Sequence, residues 1–149
     1  MWRRLIATSP TWITVPLRLA LGIIFIAHGS QKVFGAFGGK GLAAFMSGPT
    51  PFGFMQPSSF WLGAAAFSEL IGGVLVLLGL CTRLGALFIS FVMLTAIFGF
   101  HLKNGFFAPQ GYEYPYALLG ICLALLIAGG GHASLDGQLA TSGRGGRRR

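Results

Sequence analysis

Residues 60–80 read FWLGAAAFSELIGGVLVLLGL, an apolar run broken by a single ionisable side chain, Glu69. About 20 mainly apolar residues is the length an α-helix needs to cross a bilayer. Three further runs have the same character. Thr14 to about Phe34 carries Arg18 near its start and His28 near its end, and Leu84 to about Leu102 has no formal charge and closes on His101. Tyr116 to about Gly131 is the shortest. Four such runs predict an all-α protein, a four-helix transmembrane bundle with helices at about 14–34, 60–80, 84–102 and 116–131.

Composition agrees with that reading. Of 149 residues, 54% are hydrophobic and only 9% charged, where a soluble chain carries about 25% charged residues. The mean hydropathy is +0.72. A free-standing soluble protein is excluded. The formal charge of +8 does not indicate nucleic acid, because Arg144, Arg147, Arg148 and Arg149 crowd into the last six positions and most other cations flank apolar runs. No basic stripe interleaved with stacking aromatics is present. Cys81 and Cys122 lie inside apolar stretches without a CxxC, so a thiol–disulfide relay lacks its chemical group.

Cations also set the orientation. Arg3, Arg4, Arg83, Arg144 and residues 147–149 fall on one side of a four-crossing bundle; Lys32, Lys40 and Lys103, offset by Glu113, fall on the other. The positive-inside rule then places both termini in the cytoplasm. Residues 1–13 form a cytoplasmic segment, 14–136 the membrane domain, and 137–149 a disordered basic tail. The first helix is retained rather than cleaved, since Gln31-Lys32-Val33-Phe34 stands where a small-residue cleavage site would be. Between the first two helices, Gly35 to Ser59 is long enough to be functional or to lie on the bilayer surface. Phe52, Phe54, Phe60 and Trp61 suit the headgroup boundary.

Glu69 is the most informative residue. A carboxylate roughly 13 Å inside a spanning helix, at 1.5 Å per residue, must face the bundle interior and be paired or protonated. Small residues surround it: Ala65, Ala66, Gly72 and Gly73 lie within one turn and admit a neighbouring backbone. On the first helix, Arg18, Gly22, Phe25, Gly29 and Lys32 share one stripe. Arg18 approaches Glu69 from the cytoplasmic side, and His28 or Lys32 from the outer side. The pair is either a structural lock between two helices or a proton-handling site, and these roles are compatible.

A second group collects near the outer face: His28, Gln31, Lys32, His101, Lys103, Asn104, and Tyr112 to Tyr116 around Glu113. Two histidines on different helices, without a third ligand at metal spacing, do not make a zinc or haem site. A polar pocket for an anion or a quinone headgroup fits better, and Glu69 and His28 are the best candidates for proton chemistry. A third group, Gly129-Gly130-Gly131-His132-Ala133-Ser134-Leu135-Asp136, ends the fourth helix and turns, with Asp136 expected to meet Arg83 in a structural clasp.

The stretch from Arg18 through His28-Gly29-Ser-Gln31-Lys32, followed by Glu69-Leu-Ile-Gly72-Gly73, resembles the DoxX family of small membrane proteins. Gly79-Leu-Cys-Thr-Arg83 and Gly131-His-Ala-Ser134-Leu135-Asp136 extend the likeness over roughly residues 16–136. The resemblance implies a four-helix, multi-pass protein of the bacterial inner membrane. It also implies association with redox assemblies, since one branch of the family supplies a membrane subunit of thiosulfate:quinone oxidoreductase. The function expected is an accessory or quinone-interacting subunit working with other membrane or redox proteins, or as a homo-oligomer. No cofactor is intrinsic to the chain and a quinone is the candidate ligand. A non-catalytic scaffold and, less favoured, a small-solute carrier are the alternatives.

Overall fold

The computed structural model describes residues 8–107 and 109–145, with side chains as far as residue 141. Six α-helices and no strand occur among the described residues. Helix α1 is Thr14–Phe34; Pro16 fits its first turn, where the amide it lacks would have had no partner. Gly35 ends it at φ 72°, a left-handed conformation, and donates its N–H to the Ser30 carbonyl. The connecting segment folds into a 3-10 turn, Ala36–Gly38, and a short helix α2, Leu42–Met46. Helix α3, Ser58–Leu78, starts behind Pro57 and stops at Gly79. Helix α4, Thr82–Ala96, continues through a π-helical turn, Ile97–His101, into a 3-10 turn, Leu102–Asn104. Helix α5 is Glu113–Ala128 and α6 is Leu135–Gly145.

Three stretches, α1, α3 and Thr82–Asn104, are long and apolar enough to cross a bilayer. Helix α5 has 16 residues, about 24 Å of rise against a hydrocarbon core of about 30 Å. The core is made by α1, α3, α4 and α5 together: Leu21 and Phe25, Val76, Ile89, and Leu118 with Leu125 are all buried. The outer surface is apolar as well, with Ile23, Ile71, Phe91, Phe98 and Ile127 exposed. A surface of that kind is at home in lipid.

Glycines set the helix register. A Cβ on Gly29 would lie 2.6 Å from the Leu70 Cα, and one on Gly22 2.8 Å from the Leu77 Cβ. Helices α1 and α3 therefore touch backbone to backbone and run antiparallel, Gly29 opposite Leu70 and Gly22 opposite Leu77. Gly73 completes the seam against the Ile26 amide. Extending that register brings Phe34 level with Ala65, seven residues inside the start of α3, an offset of about 10 Å. The space above the end of α1 is taken by α2 and its loops, with Met46 beside Gly63 and Gly48 beside Leu62. On the other flank α3 meets α4 at Gly72 and Gly85, where an added Cβ on Gly85 would stand 2.9 Å from the Gly72 carbonyl.

The helices begin two or three residues before the expected positions on α3, α4 and α5. The tail expected over 137–149 is not irregular throughout: residues 137–145 belong to a helix that starts at Leu135. Ser134 starts that helix, its Oγ accepting the Gly137 N–H at 3.0 Å, a side-chain cap of the kind that stabilises a helix start. Arg3 and Arg4, residues 147–149 and the Arg144 side chain lie outside what is described.

Candidate functional site

The seam at Gly29 and Leu70 decides which charges meet. Lys32 lies three residues past Gly29, on the same face of α1, and Glu69 lies just before Leu70. The Lys32 Nζ donates to Glu69 Oε2, in an ion pair whose side chains are 24% and 5% exposed. The ammonium also sits 5.5 Å from the centre of the Phe45 ring, a cation–π distance. Gln31 turns aside and donates to the Phe37 carbonyl at 3.4 Å.

This pair borders a cavity of about 900 Å³. Its walls are mostly apolar: Phe45 and Pro51 from the α1–α3 connection, Trp61 and Ala65 from α3, and Phe88, Phe91 and Val92 from α4. Polar groups are few, with Ser68 and Thr95 on the helices and Lys40 on the connecting segment. The π-helical turn contributes Phe100. Within that turn Gly99 leaves room for the Pro51 ring, which a Cβ would overlap. The connecting segment is thereby seated on α4, and π-turns inside helices are frequent at functional sites. An ammonium and a carboxylate at the edge of an apolar space offer a polar ligand one hydrogen-bond donor and one proton acceptor.

Other expected members of the site lie elsewhere. Arg18 does not approach Glu69; the α1–α3 register puts Ser30 opposite Glu69, twelve residues or about 18 Å along α1 from Arg18, whose guanidinium lies against Gly79 at the end of α3. Its guanidinium is buried in carbonyls instead. Nε donates to Val76 at 3.1 Å and Nη2 to Leu77 at 2.9 Å, while Nη1 reaches Gly130, His132 and Ala133 at 3.0 to 3.3 Å. Arg18 thus supplies donors to carbonyls in the last turn of α3, where the helix's own amides run out, and ties them to the 130–133 turn. Thr14 assists by donating to the Gly130 carbonyl at 2.9 Å.

The histidines also stand apart. His28 faces outward on α1 and is exposed, and neither it nor His101 lines the cavity. His101 Nδ1 bonds the Gln110 carbonyl at 2.9 Å, and Asn104 donates to the same oxygen at 3.1 Å. That arrangement orders the loop before α5. The expected outer cluster is therefore divided: Gln31 and Lys32 line the cavity with Glu69, His101 and Asn104 order the loop, Tyr112 to Tyr116 lie at the start of α5, and His28 is exposed.

Asp136 does not meet Arg83. Its carboxylate accepts the Cys81 and Thr82 amides at 2.7 and 2.9 Å and the Thr82 hydroxyl at 2.8 Å. An acid is favoured there because the first amides of a helix are unpaired and its N-terminus is partly positive. Arg83 donates to the Ile127 carbonyl at 2.9 Å. Burial, and the neighbouring Asp136 charge, push the Cys81 thiol up from its ordinary value. Gly29, Gly72 and Gly73 hold the close seams described above. Sequence reasoning missed the cavity residues Phe45 and Lys40, although Gly38-Gly39 and Gly48-Pro49-Thr50-Pro51 marked that stretch as a shaped loop.

The profile of the DoxX family matches residues 13–102, a span that holds α1, α3, α4, Arg18, Lys32 and Glu69. A Bacillus subtilis (strain 168) protein named "Putative oxidoreductase CatD" is 37% identical over 112 residues, which cover 75% of this chain and 77% of that protein. No solved structure matches the chain. With its family pattern lying across the Gly29–Leu70 seam and the ion pair beside it, the chain belongs to the DoxX family of membrane proteins.

Proposed function

We propose that this protein is a quinone-interacting subunit of a redox assembly in the bacterial inner membrane. Helices α1, α3, α4 and α5 cross the bilayer, and both termini lie in the cytoplasm. The observation that carries the reading is the Lys32–Glu69 pair beside an apolar, aromatic-lined cavity. Ionisable groups inside spanning helices mark ligand or proton sites by default. Glu69 stands eleven residues into α3, about 16 Å below its outer end, where hydrocarbon rather than water surrounds the bundle. The name of the Bacillus subtilis relative supports an oxidoreductase setting.

The residues present fit a quinone. The cavity accommodates a flat ring, its walls are aromatic and apolar, and Lys32 presents a hydrogen-bond donor for a ring oxygen. Bound there, a quinone would supply electron-accepting chemistry, with electrons delivered by a partner redox protein. Glu69 takes or gives the proton, and Lys32 holds the carboxylate in place when it is charged. The Phe45 ring and the Pro49–Pro51 segment wall the cavity on the side of the connecting loop.

A scaffold role is the second reading, favoured by the glycine seams and by Arg18 caged in carbonyls, both devices of rigid packing. The two are separated by comparing Arg18→Met with Glu69→Gln. A quinone site predicts that Glu69→Gln keeps its abundance in the membrane and loses quinone-linked turnover by the chain with its co-purified partners. A scaffold predicts that turnover falls only in step with abundance in both variants.

A further inference from the structure

The geometry points to a lateral opening between α3 and α4 through which a lipid-borne ligand reaches Lys32 and Glu69, leaving its tail in the bilayer. This inference rests on the quinone reading and names the class: a flat oxygenated head attached to a long apolar tail.

Helices α3 and α4 are joined by a short turn at Gly79–Cys81 and touch at Gly72 and Gly85. Beyond that contact, toward the start of α3, the seam borders the cavity. Antiparallel continuation of the register brings Ala64 and Ser68 of α3 alongside Phe91 and Thr95 of α4, and all four line the cavity. Ala64 and Phe91 are also exposed at the outside of the bundle, Phe91 by 61%. One residue on each lip of the seam therefore faces both the cavity and the surroundings. Small side chains on the α3 lip leave the gap, and the Phe91 ring borders it from α4.

On the other side the connecting segment is seated on the helices. The Pro51 ring is seated on Gly99, and α2 rests on Gly63 through Met46. Irregular backbone at membrane depth is tolerated where it lines a cavity, and this segment does so. Exposed lining residues occur on the connecting segment, at Lys40, Ala44 and Pro49, and on the spanning helices, at Ala64 and Phe91; only the second set opens an apolar wall onto hydrocarbon, which is where an apolar tail is favoured. Two cations, Lys32 and Lys40, against one acid, Glu69, leave the lining with a net positive charge. That sign favours an electron-rich oxygen on the head.

The test uses the full chain in nanodiscs, with Trp2→Phe and Trp12→Phe leaving Trp61, a cavity residue, as the reporter. The probes are a benzoquinone bearing a ten-carbon tail and the same ring without a tail, each read by saturable quenching. Position 64 is substituted in a graded series, Ala64→Val, Ala64→Leu and Ala64→Phe, with Ser68→Phe as a second block. The tailed ring should weaken in order of side-chain size, by about tenfold at Phe, while the tailless ring stays within about twofold. Unchanged binding of the tailed ring across the series, or parallel weakening of both rings, overturns the opening while leaving the quinone site in place. Absence of saturable quenching by either ring in the parent protein overturns the quinone reading itself, and this inference with it.

Discussion

Removing Lys32 and removing Glu69 should not destabilise the protein equally. Lys32→Met leaves a carboxylate 5% exposed, eleven residues into α3, where an unpaired acid costs at least about 2.5 kcal/mol on insertion scales. Glu69→Leu leaves an ammonium that is already 24% exposed and only two residues from the end of α1. Its four-carbon stem lets the charge move outward, which limits the loss to about 1 kcal/mol. The double variant removes both charges, and replacing a buried pair by apolar side chains is commonly neutral or stabilising. Its stability should therefore lie within about 1 kcal/mol of the parent, a coupling of roughly 3.5 kcal/mol, and at least about 2.5 kcal/mol, between the two positions. The assay is reversible unfolding in mixed micelles titrated with SDS, followed by tryptophan emission. Additive losses, with the double variant about 3.5 kcal/mol below the parent, would refute the contact. Equal losses from the single variants would refute the assigned depths.

Arg18→Lys should also destabilise, by about 2 kcal/mol or more, because three ammonium donors cannot serve five carbonyls; the same titration reads it. Gly29→Ala should lose about 1–3 kcal/mol, since the new Cβ meets the Leu70 backbone, and spectroscopic distances between α1 and α3 should lengthen. Asp136→Ala removes the acceptor of two amides and a hydroxyl at the start of α4, for a loss of about 1–2 kcal/mol. Cys81 should react with a membrane-permeant maleimide more slowly than a free thiol at neutral pH. Its pKa is raised by burial and by Asp136, so the thiolate is scarce until the pH passes above the ordinary thiol range. A rate at neutral pH matching that of a free thiol would contradict this.

Much of this arrangement is legible in the residues. The apolar runs mark α1, α3, α4 and α5 because a helix in lipid must be apolar on its outer face as well as its inner one. The inward stripe of α1 is also readable: Arg18, Gly22, Phe25 and Gly29 are all buried. What a helical stripe does not contain is the offset of one helix along another. Arg18 and Lys32 share the stripe, fourteen residues apart, and only the backbone contact of Gly29 with Leu70 selects Lys32 for Glu69. Sliding α1 by a few turns would have selected Arg18. Asp136 misled for a similar reason, since side-chain charge suggested Arg83 whereas unpaired amides at the start of α4 bind the carboxylate. The cavity depends on long-range seating of Pro51 against Gly99, which leaves no periodic signal. Residues 137–145 read as tail because they are polar and glycine-containing, yet the Ser134 cap and the docking of Asp136 start a helix that runs through them.

The placement of the ligand is tested most directly by photolabelling the purified protein in nanodiscs with an azido-quinone and locating the modified residues by mass spectrometry. The account predicts labels on Lys32, Phe45, Trp61 or Phe91, abolished when Lys32→Met and Glu69→Leu are combined. Labels concentrated at His28 or His101 and indifferent to those substitutions would contradict it.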